Sequence, residues 1–207
     1  MGSIIHEGLF SGPWFAQINA QWQRKNIIDD SPTNLLPLGY IEGYKTAADM
    51  LLEQLSPLDP QLDLLVFPIF FLYRQFIELL LKKVYENHHT SDEQRNMIKW
   101  CGHDIMRIFN QGEDTIYQII KEYVKYENRD NKEISEEAFD NITQKYFNSI
   151  KQCLGEICFY DKGSFAFRYN YNRDLTETLP SPITINLDGL KNFAELLSTI
   201  FYGEYAI

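Results

Sequence analysis

The chain has 207 residues, 44% hydrophobic and 14% aromatic, with a formal net charge of −10. That length suits one sizeable core, and the composition excludes an intrinsically disordered chain. The acidic balance disfavours non-specific binding to nucleic acid or anionic membranes, so any nucleic-acid role needs a local basic patch. Cys101, Cys153 and Cys158 lack the even count of a disulfide framework, which points to a reduced, cytoplasmic setting. The opening MGSIIHEGLFSGPW has neither a basic stretch nor a long apolar one, so no signal peptide is expected. The apolar run Leu64–Tyr73 is too short to span a bilayer. A soluble protein without membrane attachment is the expectation.

Residues 1–38, rich in Gly, Pro and Asn and carrying Trp14, Phe15 and Trp22, read as an arm packed on the domain, with a helical stretch near Trp14–Arg24. Residues 39–207 read as a single helical domain. In LGYIEGYKTAADMLLEQL, Tyr40, Tyr44, Ala47, Ala48, Leu51, Leu52 and Leu55 follow three-four spacing and predict a helix. Pro57 and Pro60 end it.

A longer helix is predicted over about Gln61–Asn87, with Pro68 either in its first turn or at a kink. Apolar residues surround its axis, as in a central helix packed on most sides. Within it Arg74, Glu78 and Lys82 stand four apart and form one shallow stripe, bordered by Gln75. An unpaired buried charge costs several kcal/mol. The stripe therefore either pairs on a wet face or lines a pocket or a dimer groove, and its apolar flanks favour concealment.

Next, Ser91 with Gln94 forms a capping box for a helix that Gly102 should stop. Asp104 then caps a short helix, DIMRIF. His103 sits at this junction. It is either a local partner of the preceding helix end or a group poised for proton transfer near neutral pH.

Ile116, Ile119, Ile120, Tyr123 and Val124 define the face of one further helix, and Phe139, Ile142, Tyr146, Ile150, Cys153 and Ile157 that of another. ENRDNKE is a solvated loop between them. Phe165, Phe167, Tyr169 and Tyr171 then alternate with Ala166, Arg168 and Asn170. With YDKGS before them, they predict a small β-hairpin near residues 158–171. A last helix starts at about Asp188 on Leu190, Phe193, Leu197 and Ile200. The expected fold is mainly α, a helical bundle with that hairpin inserted. The spacing of His88, His89, Cys101 and His103 matches no usual metal motif, and no cofactor motif is present.

The segments FPIFFLYRQFIELLLKKVY, GHDIMRIF and FAFRYNY together resemble bacterial members of the broad HEPN-like group of helical bundles, over roughly residues 40–200. The resemblance implies an RNA- or nucleotide-associated, commonly dimeric protein of the kind met in defence and toxin systems, with a cognate partner protein among its expected partners. Many members are metal-independent endoribonucleases marked by an Arg followed, after four to six residues, by His. This chain departs from that pattern, since Arg95 precedes His103 by seven intervening residues. The pair is therefore not carried over. The expected site is instead catalytic Arg74, Glu78 and His103, with Lys82 and Arg168 binding substrate and no metal. His103 would act as acid or base, Arg74 and Arg168 would hold phosphate, and Glu78 would orient Arg74 or His103. The alternative is a non-catalytic dimeric interaction or sensor module whose polar stripe is a structural ion-pair network.

Overall fold

One 27-residue helix, Leu62–His88, organises the chain. The computed structural model describes residues 35–56, 59–89, 91–130, 134–179 and 183–202. The arm expected over residues 1–38 lies outside these, apart from the start of the first helix. The described residues form seven helices: α1 (Leu35–Glu53), α2 (Leu62–His88), α3 (Asp92–Cys101), α4 (Ile105–Gln111), α5 (Glu113–Glu127), α6 (Glu136–Asp161) and α7 (Leu187–Tyr202). The helices predicted after residue 38 are all present, while the stretch expected near Trp14–Arg24 lies outside the described residues.

The central helix α2 packs against α3, α4, α5 and α7. It buries Ile69, Phe70, Tyr73, Phe76, Ile77, Leu80, Leu81, Val84 and Tyr85. Pro68 lies inside it and gives no N–H to the carbonyl of Leu64, which stands on an exposed turn where water can serve. By length and composition α2 would also suit a membrane span, but half of its most apolar window is buried within the protein, as in a core helix. Helix α1 is tied to it through Tyr73, whose hydroxyl donates to Asp49 at 2.6 Å, and through an edge contact between Tyr44 and Phe71. On the other side α5 pairs with α6 through Tyr117 on Phe147 and Tyr123 on Tyr146, and α4 adds Phe109 on Phe147.

The local signals act as predicted at the α3–α4 junction. Asp104 Oδ1 accepts the Arg107 amide at 3.1 Å, and Gly102 adopts a left-handed φ of 59°. A Cβ built on Gly102 would meet nothing within 4 Å. The cost of Gly102→Ala is therefore backbone strain alone, about 1–2 kcal/mol, and a denaturant titration should return it.

The β-hairpin near residues 158–171 does not form. Residues 158–161 complete α6, and among the described residues no strand follows, only an isolated antiparallel bridge between Tyr171 and Glu177. The reason is Asp161. Its buried carboxylate accepts the amides of Phe165 (2.6 Å) and Ala166 (3.0 Å), which draws the chain into a turn. The alternating aromatics then meet as turn neighbours. Phe165 lies against Tyr169, while Phe167 stacks on Phe70 of α2 with ring centroids 3.7 Å apart.

Candidate functional site

Arg74 is wholly buried and Glu78 is 1% exposed. The Arg74–Glu78 part of the stripe is concealed, as its apolar flanks suggested, while the Lys82 side chain stays 23% exposed. The concealed part faces two chain turns. Arg74 Nη1 donates to Glu78 Oε2 at 2.7 Å. Its Nε donates to the carbonyl of Asp161 at 3.2 Å, and Nη2 reaches the carbonyls of His103 and, at 3.5 Å, Lys162. The guanidinium thus joins the C-terminal end of α6, where carbonyls lack helical partners, to the α3–α4 junction. Asp161 Oδ2 lies 3.4 Å from Nε, within ion-pairing range but without a hydrogen bond, because the Nε hydrogen is directed at the Asp161 carbonyl.

Glu78 divides its oxygens between two tasks. Oε2 holds Arg74, while Oε1 accepts from Lys82 Nζ at 2.7 Å and lies 2.9 Å from His103 Nδ1. Burial by itself would raise the Glu78 pKa, but the hydrogen bonds from Lys82 and Arg74 outweigh it and hold the carboxyl below its ordinary value of 4.5. An ionised carboxylate can only accept. The bond therefore places the imidazole proton on Nδ1 and leaves Nε2 of a neutral ring as a base. The His103 side chain is 57% exposed, so a ligand can reach the ring.

The five expected site residues thus separate into two groups. Arg74, Glu78, Lys82 and His103 form one connected network. Within it the Arg74 donors Nε, Nη1 and Nη2 go to protein acceptors, one of them the His103 carbonyl. Glu78 orients both Arg74 and the His103 ring.

Arg168 stands apart. It is exposed on the turn, donates from Nε to the Ser164 carbonyl at 2.6 Å, and lies over the rings of Phe71 and Tyr169. Phe71 precedes Glu78 by two turns of α2, about 10 Å along the axis. Arg168 instead lines an open depression of about 500 Å³ with Tyr169, Asn170 and Tyr171. The segment does fold over α2, as phosphate binding by Arg168 required, but at the wrong turn.

Asp161 was the residue the sequence reading missed. An Asp directly before Lys-Gly-Ser is a signal for side-chain capping of the following amides. Among the described residues, no group of three or more His, Cys, Asp or Glu side chains is placed to hold a metal ion. The three thiols are pushed above their ordinary value, in each case chiefly by burial, which makes them poor nucleophiles. No family model, curated protein or solved structure matches the chain.

Proposed function

We propose that this chain is a HEPN-like, cytoplasmic, metal-independent endoribonuclease or nucleotide-directed enzyme in which His103 is the general acid–base group. The observation that carries the reading is the Glu78–His103 contact. A buried, ionised carboxylate fixes the tautomer of a half-exposed imidazole, and Arg74 anchors the same residue by its carbonyl. Such a ring can take a proton from a 2′-hydroxyl or give one to a leaving oxygen. The test is cleavage of RNA by the purified protein with metal chelated, and its loss in His103→Ala.

A second reading is favoured by a different observation. The donors of Arg74 serve three backbone carbonyls and Glu78, which is the behaviour of a structural clamp. The chain would then be a non-catalytic interaction or sensor module. A place in a defence or toxin system, a cognate partner protein and homodimerisation belong to both readings on the resemblance alone. Symmetric pairs are the commonest oligomers. Sedimentation at high micromolar concentration should give twice the monomer mass of 24.4 kDa, and a monomer throughout would remove the homodimer.

A further inference from the structure

The depression beside Arg168 lies apart from the His103 network, and neither reading above gives it a task. Three aromatic rings line it and stay half-bare: Phe67 at 44% exposure, Tyr169 at 53% and Tyr171 at 50%. Arg168, Asn170 and Glu177 line it with them, and all three are exposed. Arg168 gives only its Nε to a protein acceptor, the Ser164 carbonyl. Among the described residues its two Nη groups, the Asn170 amide, the Glu177 carboxylate and both tyrosine hydroxyls make no hydrogen bond to the protein.

The backbone beneath these side chains is fixed by its own hydrogen bonds. An antiparallel bridge joins Tyr171 to Glu177, and in the turn it closes the Asn172 amide donates to the Thr176 carbonyl at 2.8 Å. The Thr178 amide donates to the Asn170 carbonyl at 3.1 Å, and the Thr178 hydroxyl to the Tyr169 carbonyl at 2.6 Å. The Arg168 guanidinium rests over the Tyr169 ring, 5.5 Å from its centre. The site is thus largely formed before a ligand arrives, which lowers the ordering cost of binding.

The lining selects by charge and by shape. An anion would meet the Glu177 carboxylate and a cation the Arg168 guanidinium, so a neutral ligand suits both. That ligand must donate to Glu177, accept from Arg168 and lay an apolar face on the rings. Guanidinium, amide and carboxylate are planar, two-pronged groups, and they match a pair of neighbouring hydroxyls, each both donor and acceptor. An extended peptide offers one N–H and one C=O per residue, spread along about 3.3 Å of chain. A sugar ring carries hydroxyl pairs on its rim and C–H groups on its faces. A volume of about 500 Å³ is of the size small-ligand sites use.

We propose that this depression binds a neutral saccharide, with sugar rings laid on Phe67, Tyr169 and Tyr171 and their hydroxyls held by Arg168, Asn170 and Glu177. The assignment is independent of the acid–base reading of His103.

Uncharged maltohexaose, cellohexaose, mannohexaose and chitohexaose, each titrated into the isotope-labelled full chain and followed by NMR, test it. At least one should shift the amide signals of residues 168–171 and 177, with an affinity that does not change with salt, because the ligand is neutral. Tyr169→Ala and Tyr171→Ala should each weaken binding about ten-fold, the loss of one ring contact. Glu177→Ala should weaken it about ten-fold as well, through its charged hydrogen bond. Tyr171→Phe keeps the ring and should fall between wild type and Tyr171→Ala. Melting temperatures of all four variants should match wild type, since these side chains are exposed. Absence of binding by every hexasaccharide, shifts confined to other residues, or ring variants that bind as wild type would each overturn the proposal. A polyproline peptide or dextran sulfate that bound these residues more tightly than every neutral sugar would overturn it too, and would assign the depression to a peptide or to an anion.

Discussion

Glu78→Gln should destabilise the protein by about 3 kcal/mol, at the lower end of the range for breaking a buried ion pair. The amide oxygen can still accept one bond from Arg74, which keeps the loss from being larger. What it cannot supply is charge. Arg74, without exposure, would be left with no anion hydrogen-bonded to it, only the Asp161 carboxylate 3.4 Å away, and an amide N–H group turned to Lys82 would meet another donor. If the pair merely decorated a wet helix face, the same change would cost no more than about 0.5 kcal/mol. For a chain of this size a loss of about 3 kcal/mol lowers the melting temperature by roughly ten degrees. Calorimetry or denaturant unfolding would read it directly, and a loss under about 1 kcal/mol would contradict the buried network.

The same pair sets a pH dependence. The folded Glu78 carboxyl titrates below 4.5, its ordinary value. Its stabilising contribution is therefore complete at pH values above 4.5 and is lost as the pH falls through the folded value. Gln has nothing to titrate there. The stability difference between wild type and Glu78→Gln should stay constant above that pH and close below it. A difference that held its size into strong acid would show that ionisation of Glu78 is not its source.

The second large effect concerns activity. His103→Ala should reduce RNA cleavage by about 10²–10⁴-fold, the usual contribution of a positioned acid–base group. Stability should fall by no more than about 1 kcal/mol, since the half-exposed ring makes one hydrogen bond, to Glu78. The two variants therefore separate along different axes: Glu78→Gln loses stability, and His103→Ala loses turnover. Wild-type protein that cleaves no RNA in chelator would end the enzyme reading. If His103→Ala also melted as early as Glu78→Gln, the ring would belong to the structural clamp, and the interaction module would remain.

What was legible in the sequence is what adjacent residues decide among themselves. Apolar faces at helical spacing predicted α1, α5, α6 and α7 and an all-round apolar run predicted α2, because a helix face is set by local geometry, while cap and stop residues marked α3 and α4. Gly102 and Asp104 acted as stop and cap for the same reason: a left-handed φ and a side chain reaching an amide three residues on need no distant partner. The Arg74–Glu78–Lys82 row was visible because residues four apart on a helix are neighbours whatever surrounds them.

Tertiary structure decided what that row meets. The carbonyls that receive Arg74 lie 29, 87 and 88 residues away in the chain, and no spacing rule encodes such a meeting. The same distance made Arg74 look like a phosphate ligand and Arg168 like its companion. In the FAFRYNY segment the alternation was read correctly as a pattern but not as a structure, because the Asp161 carboxylate takes two amides that a strand would offer to a ladder. The exposure of Trp100 and Phe159 was equally hidden. Hydrophobicity favours burial of every large ring, and only the packed helices determine which rings find no place in the core.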